Sequence, residues 1–283
     1  MIRLGAHAFL WIGDWTPDAG DDAIAQAAEV GFDFIEVPLL RPDAFDAARH
    51  RRALERAGIG ATCSLSLPRD AHMPAAPERA RAFLSEALDR TEELGATVLC
   101  GCIGYALGVL TGAPPAPGER ERIEEVLADV ATDAAARGIE LALEACNRYE
   151  TYLYNTLADT RASVLAVGAA NLGVHADTYH MNIEEQGFHD PLVAAADVLR
   201  YVHMSESHRG LVGSGTVAWD EIWRALAEID YRGRLVLESF SAINPDLAAA
   251  TCLWRPPNQP PDVLAREGLA FLRAGARRAG LPL

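Results

Sequence analysis

Eight short apolar runs rich in strand-forming residues recur along the chain, and they constrain the fold more than any other feature. They are "IRLGAHAFLW", "FDFIEVPL", "GATCSLSLP", "TVLCGCIGY", "IELALEACN", "LGVHADTYH", "LRYVHMSES" and "RLVLESF". Between most of them lie Ala-, Leu-, Arg- and Glu-rich segments with helical spacing, such as "DDAIAQAAEV" and "ERIEEVLADVATDAAARG". Several helical segments end in Gly just before the next run ("EVGFDF", "ELGATVL", "ARGIEL"), the position of a C′ glycine. Strands alternating with helices imply parallel βαβ units. A count of eight favours closure into a (β/α)8 TIM barrel over an open sheet, and no GxGxxG follows the first strand. No linker or low-complexity tract divides the chain, so residues 1–283 are expected to form one barrel domain. "GAPPAPGER" (112–120) and "WRPPNQPPD" (254–262) read as long βα loops.

Composition removes several function classes. The formal charge of −15 leaves no electrostatic footprint for a phosphate backbone, which argues against nucleic-acid partners and a metal-dependent nuclease. All 25 basic residues are Arg, which excludes a Schiff-base lysine and a Lys-bearing P-loop. The five cysteines, Cys63, Cys100, Cys102, Cys146 and Cys252, form no CxxC pair and read as reduced thiols. No apolar stretch reaches 18 residues, and the N-terminus lacks a basic segment followed by a cleavage site. A cytoplasmic protein with no membrane association is the expectation. No GxSxG elbow is present.

Polar residues stand where the last four strands end: Glu144, Asp177, His203 and Glu238, each about one βα unit from the next. The C-terminal ends of barrel strands converge on one face, where active sites lie. Three clustered carboxylates repel one another and take up protons unless a cation sits among them. An oxygen-rich set with one imidazole and no thiolate suits Mn²⁺, Co²⁺ or Mg²⁺ better than structural Zn²⁺.

The chain resembles the D-tagatose 3-epimerase and D-psicose (allulose) 3-epimerase family, within the xylose isomerase-like barrels. "LEACNRYETYLYNT", "ADTYHMNIEE", "HMSESHRGLVGSGTVAWDEIW" and "LVLESF" carry the resemblance. It implies Glu144, Asp177, His203 and Glu238 as ligands of a divalent metal, Mn²⁺ first among the candidates. It also implies Glu150, His180 and Arg209 as the residues that hold the substrate around its C1 to C3 oxygens, and a homodimer or homotetramer. The chain departs from the family pattern at "SESHRG" and at Ser239, where the family often has Pro.

The activity so implied is epimerisation of a free ketose at C3, of the D-tagatose, D-fructose/D-psicose or L-ribulose type. Glu144 and Glu238, from strands five and eight, approach the sugar from opposite sides. One removes the C3 proton and the other returns a proton to the opposite face, through a metal-stabilised enediolate. Reversibility calls for matched acidities in the complex. Two alternatives use the same site: aldose–ketose or keto-inositol isomerisation, and metal-dependent cleavage of an oxidised C-glycoside with a second subunit.

Other residues are read more plainly. His175 is expected to face away from Asp177 by strand alternation, as a buried, hydrogen-bonded histidine. "GLVGSG" (210–215) reads as a flexible loop beside the metal. Trp11, Trp15 and Tyr105 either wall the sugar or belong to the core, and Cys63 is taken as a small wall residue ending strand three.

Overall fold

A computed structural model describes residues 1–283. Its eight strands are β1 Arg3–His7, β2 Phe34–Pro38, β3 Gly60–Ser66, β4 Val98–Cys102, β5 Glu140–Glu144, β6 Leu172–Asp177, β7 Leu199–Met204 and β8 Arg234–Leu237. Each pairs in parallel with the next, and β8 closes on β1, so the eight apolar runs form a closed barrel in chain order. The helices are α1 Pro17–Val30, α2 Ala47–Ala57, α3 Pro77–Leu94, α4 Glu119–Ala136, α5 Leu157–Val167, α6 Thr178–Glu184, α7 His189–Ala194, α8 Trp219–Glu228, α9 Pro245–Thr251 and α10 Pro261–Arg278.

Local chemistry sets the element ends. Thr16 caps α1 by accepting from the Ala19 N–H, and Pro17 opens the helix where its missing N–H does no harm. Gly31 and Gly95 end α1 and α3 with φ of 97° and 82°, left-handed values that a side chain would strain. Segment 112–118 is the βα loop the sequence predicts, leading into α4. Segment 254–260 instead follows the extra helix α9, and Pro261 and Asp262 already belong to α10.

Strand alternation divides the side chains between two layers. One set packs outward against the helices in the main apolar core, with Leu4, Ile35, Leu99, Leu141, Val174, Val202 and Leu235 among its members. The other set fills the barrel. Phe34, Val98, Cys100, Ala142, Tyr201 and Val236 form an apolar plug there. Continuing the same parity toward the C-terminal face, the inward positions become polar: His7, Glu36, Ser64, Glu144, Asp177, His203 and Glu238. That switch from plug to polar lumen is what places the site. No helix is long and apolar enough to cross a membrane.

Candidate active site

The C-terminal mouth opens into a cavity of about 810 Å³, lined among others by Glu144, Glu150, His180, His203, Arg209 and Glu238. A volume of that order suits a small-molecule ligand. Glu144 and Asp177 are the last residues of β5 and β6, His203 is the penultimate residue of β7, and Glu238 directly follows β8. Asp177 also caps α6, accepting from the Tyr179 N–H at 2.7 Å, so one side chain both ends a strand and starts a helix.

His203 Nδ1 lies near both glutamates, 4.0 Å from Glu144 Oε1 and 3.4 Å from Glu238 Oε1. Its other nitrogen, Nε2, donates to Glu36 Oε2 at 2.8 Å. Nδ1 is buried without a hydrogen-bond partner. A carboxylate behind a histidine that turns its free nitrogen toward a cluster of oxygens is the arrangement of metal-binding histidines. Donor atoms of Asp177, His203 and Glu238 lie within 4.8 Å of one another, as do those of Glu144, Asp177 and His180. Three carboxylates and one imidazole therefore converge and could hold a divalent cation with hard or borderline preferences.

Arg209 crosses this cluster. Its Nη1 donates to Asp177 Oδ2 at 2.7 Å, to Ser205 Oγ at 2.8 Å and to Glu238 Oε2. The guanidinium stacks on Tyr179, with Cζ 3.9 Å from the ring centroid. Its backbone has φ of 58°, an uncommon value outside glycine, which marks a position fixed by its surroundings. Ser239 supplies part of that fixing, because its hydroxyl donates to the Arg209 carbonyl at 2.6 Å. Both departures from the family pattern, at residues 205–210 and at Ser239, thus bear on how Arg209 is held.

His180 sits in the first turn of α6, and its Nδ1 accepts from the Asn147 backbone N–H at 3.1 Å and from Asn147 Nδ2 at 2.8 Å. With Nδ1 accepting, the neutral ring carries its proton on Nε2. That nitrogen points at Glu144 Oε1 (3.7 Å) and Asp177 Oδ2 (3.6 Å), too far for hydrogen bonds but directed into the cavity. The Arg209 Nη2 atom 3.2 Å away is then a second donor facing a donor, a contact and not a bond. The same Asn147 Nδ2 donates to Glu150 Oε1 at 2.8 Å.

Electrostatics divide the carboxyls. Burial pushes Glu144 well above the ordinary carboxylate range, and the nearby Cys146 adds to it. Burial also works against Glu238, but Arg209 and His203 outweigh it and hold that group well below its usual value. Asp177 is pushed up by burial to about 6, with Arg209 opposing, and Glu150 by burial to about 8. Burial lowers His180 well below its ordinary range, keeping it neutral, whereas Glu36 and Glu238 overcome burial to keep His203 protonated.

Six of the seven sequence-predicted site residues line the cavity and the seventh, Asp177, is buried against Arg209 at its edge, whereas other expectations are corrected. His175 shares the inward face with Asp177, because residues two apart in a strand point the same way. It packs edge-on against His203 with centroids 4.1 Å apart, and neither of its ring nitrogens has a hydrogen-bond partner. Cys63 lies mid-strand on the helix-facing side, inside the main apolar core, and is no wall of the cavity. Trp11 and Tyr105 are core residues, the latter donating its hydroxyl to the Glu144 carbonyl at 2.8 Å. Trp15 packs against that core from outside the cavity. Segment 210–215 wraps the buried Glu206 carboxylate, which accepts from the Ser207, Gly213 and Val217 N–H groups and from Trp219 Nε1.

Sequence reasoning missed Glu36, His7, Asn147 and Glu206. Glu36 accepts from His203 and from the Tyr201 hydroxyl (2.7 Å), and its second oxygen lies 3.5 Å from His7 Nε2. Its carboxyl is driven down to about 2 by His203 and His7, against the effect of burial. The one trace of Glu36 in the sequence is a carboxylate inside the apolar run "FDFIEVPL", which does not say whether it faces the lumen or the helices.

The model of the xylose isomerase-like TIM barrel family matches residues 24–275. The L-ribulose 3-epimerase of Methylomonas sp. (strain DH-1) is 38% identical over 96% of this chain and 97% of its own. The ketose 3-epimerase of Arthrobacter globiformis is 36% identical over 96% of each chain. Among solved structures, a D-allulose 3-epimerase from Methylomonas sp. in complex with D-allulose is 38% identical, covers 96% of both chains and superposes with a TM-score of 0.93. The chain belongs to the xylose isomerase-like TIM barrels and, within them, to the family of ketose 3-epimerases.

Proposed function

We propose that residues 1–283 act as one cytoplasmic barrel domain that inverts a free ketose at C3, on a sugar of the L-ribulose or D-allulose/D-fructose type. The observation that carries this reading is the pair Glu144 and Glu238, two carboxyls from different strands that both approach His203 Nδ1, at 4.0 and 3.4 Å. Two carboxyls that reach one point from different strands can serve as an acid and a base. Inversion needs both, one on each face of the sugar carbon. A relative that shares 38% of its residues and is solved with D-allulose supports the substrate class.

Glu144, Asp177, His203 and Glu238 would hold a divalent cation, Mn²⁺ first among Mn²⁺, Co²⁺ and Mg²⁺. When bound, it supplies Lewis-acid stabilisation to the charge that develops on the sugar oxygens beside C3. The protein's own groups do the rest. One glutamate takes the C3 proton and the other delivers a proton from the opposite side, and the reverse reaction exchanges their roles. His180 offers a neutral Nε2–H donor, fixed in that tautomer by Asn147. Arg209 offers a charged donor, and Glu150 accepts from a sugar hydroxyl. Incubation of the metal-loaded protein with L-ribulose or D-fructose yields the C3 epimer on this account. An aldose as the main product contradicts it.

Two consequences concern the cation. Asp177 near 6 and the raised Glu144 and His203 all carry protons that a metal must displace. Affinity for Mn²⁺ therefore rises with pH through about 6, and calorimetry in buffers of differing ionisation enthalpy shows proton release on binding. A pH-independent affinity with no proton release would refute that donor set. Glu36→Gln keeps the shape but removes the charge that orients His203. Loss of such a supporting carboxylate weakens metal binding by roughly 10–100-fold. An unchanged Mn²⁺ dissociation constant in this variant would remove Glu36 from the account.

A further inference from the structure

β4 and β5 bring two thiols to the wall of the same cavity. Cys102 is the last residue of β4, and Cys146 lies two residues beyond the end of β5. Their Sγ atoms are 3.5 Å apart, and Cys102 Sγ is 3.9 Å from Glu144 Oε2. Both residues are nearly inaccessible from outside, at 3% and 1% exposure, yet both line the cavity. The three donors, two sulfurs and a carboxylate oxygen, lie within 4.8 Å of one another.

The spacing discriminates between uses of such a pair. A disulfide requires sulfurs about 2.05 Å apart, so these are two separate thiols. A tetrahedral ion with metal–sulfur bonds of ~2.3 Å sets its sulfurs roughly 3.8 Å apart, and a sulfur and a carboxylate oxygen roughly 3.6 Å apart. The observed 3.5 and 3.9 Å are close to two of those edges, and the third, from Cys146 to Glu144, is no longer than 4.8 Å. Cys102 is held by the end of β4 and Cys146 by its N–H hydrogen bond to the Tyr154 carbonyl at 3.0 Å, and both pack in the main core.

We propose that Cys102, Cys146 and Glu144 form a second cation site, selective for a thiophilic divalent ion of the Zn²⁺ or Cd²⁺ class. Mn²⁺ and Mg²⁺ prefer oxygen ligands and leave it alone. On binding, each thiol loses its proton to solvent as a metal–sulfur bond forms, with no change in oxidation state. The Glu144 carboxylate joins as the third ligand, and water from the cavity fills the fourth position. Glu144 is shared with the epimerisation site, so a soft ion bound here withdraws it from proton transfer.

The test uses the full-length protein in reducing buffer and Cd²⁺ as the probe. Titration of wild type gives a saturable sulfur-to-cadmium charge-transfer band, and because Glu144 is shared, saturating Mn²⁺ raises the Cd²⁺ concentration needed for half of that band. The band is lost in Cys102→Ala and in Cys146→Ala and is kept in Cys252→Ala, the variant of the one exposed cysteine. Thermal melts identify any variant that fails to fold, and Cys102→Ser then replaces Cys102→Ala. Half-inhibition of sugar turnover requires at least tenfold more Cd²⁺ in Cys102→Ala than in wild type. Absence of the band in folded wild type, or its survival in Cys102→Ala, overturns the proposal, as does a thiol count showing this pair oxidised. The band needs no sugar chemistry, so its outcome stands apart from that of the proposed epimerase activity.

Discussion

Glu144→Gln and Glu238→Gln each remove turnover, by about 10³-fold or more. Positioned acid–base groups typically contribute 10²–10⁴-fold, and each glutamine also weakens the donor set around His203. The two variants should differ in stability, and that difference makes the prediction specific. Burial raises Glu144 well above the ordinary carboxylate range, so a neutral amide in its place costs the metal-free fold little. Glu238 is ionised and faces Arg209 and His203, so Glu238→Gln leaves two cations short of a counter-charge. Its melting temperature falls where that of Glu144→Gln does not. Substantial turnover in either variant would defeat the two-glutamate mechanism, and equal melting temperatures would defeat the asymmetry assigned to the pair.

Arg209→Ala is expected to have the second-largest effect, on stability and on rate together. The guanidinium is almost fully buried and holds Asp177 and Glu238 through one nitrogen while stacking on Tyr179. Removing one partner of a buried ion pair costs roughly 3–5 kcal/mol, because the other charge is left uncompensated. For a chain of this size each kcal/mol moves the midpoint by about 2–4 °C, so a fall on the order of 10 °C is expected without metal. A divalent cation among the same carboxylates replaces the lost charge, so Mn²⁺ recovers more melting temperature in Arg209→Ala than in wild type. In the role proposed above, a charged donor to the substrate, Arg209 accounts for roughly 10²-fold, so turnover does not recover with it. Arg209→Lys separates the two effects. An ammonium restores charge but lacks the planar fork that reaches the carboxylates and the His180 side at once. Stability then returns further than rate. Full turnover in Arg209→Ala would remove this residue from substrate binding.

The barrel was legible in the sequence because each βα unit carries its own signals. The eight apolar runs became the eight strands, and the glycines before them end helices. The outer part of the site was legible for a related reason. Glu144, Asp177, His203 and Glu238 lie at or next to strand ends, where closure of the barrel gathers them. The inner support was not, because Glu36 and His7 lie within runs that otherwise read as core. Whether such a residue faces the lumen or the helices depends on pairing register. For His175 the period of two was available and places it beside Asp177, so the expectation that it faced away was a misapplied rule. Cys63 failed through an uncertain strand end: β3 runs on to Ser66, three residues further. Glu206 and Asn147 organise their neighbours through backbone N–H groups of nearby turns, and a turn's donors are aimed only once it has folded. The departures at residues 205–210 and at Ser239 gained meaning in the same way, as contacts that fix Arg209.

The central claim is inversion at C3 by proton exchange between two carboxyls, and its most direct test is proton NMR of the Mn²⁺-loaded protein with L-ribulose, D-fructose and D-tagatose in D₂O. The account predicts loss of the C3 proton signal in step with appearance of the C3 epimer, deuterium at C3 of the product, and no exchange at C1. Deuterium at C1 with an aldose product would contradict it, and so would a C3 epimer that keeps its original proton.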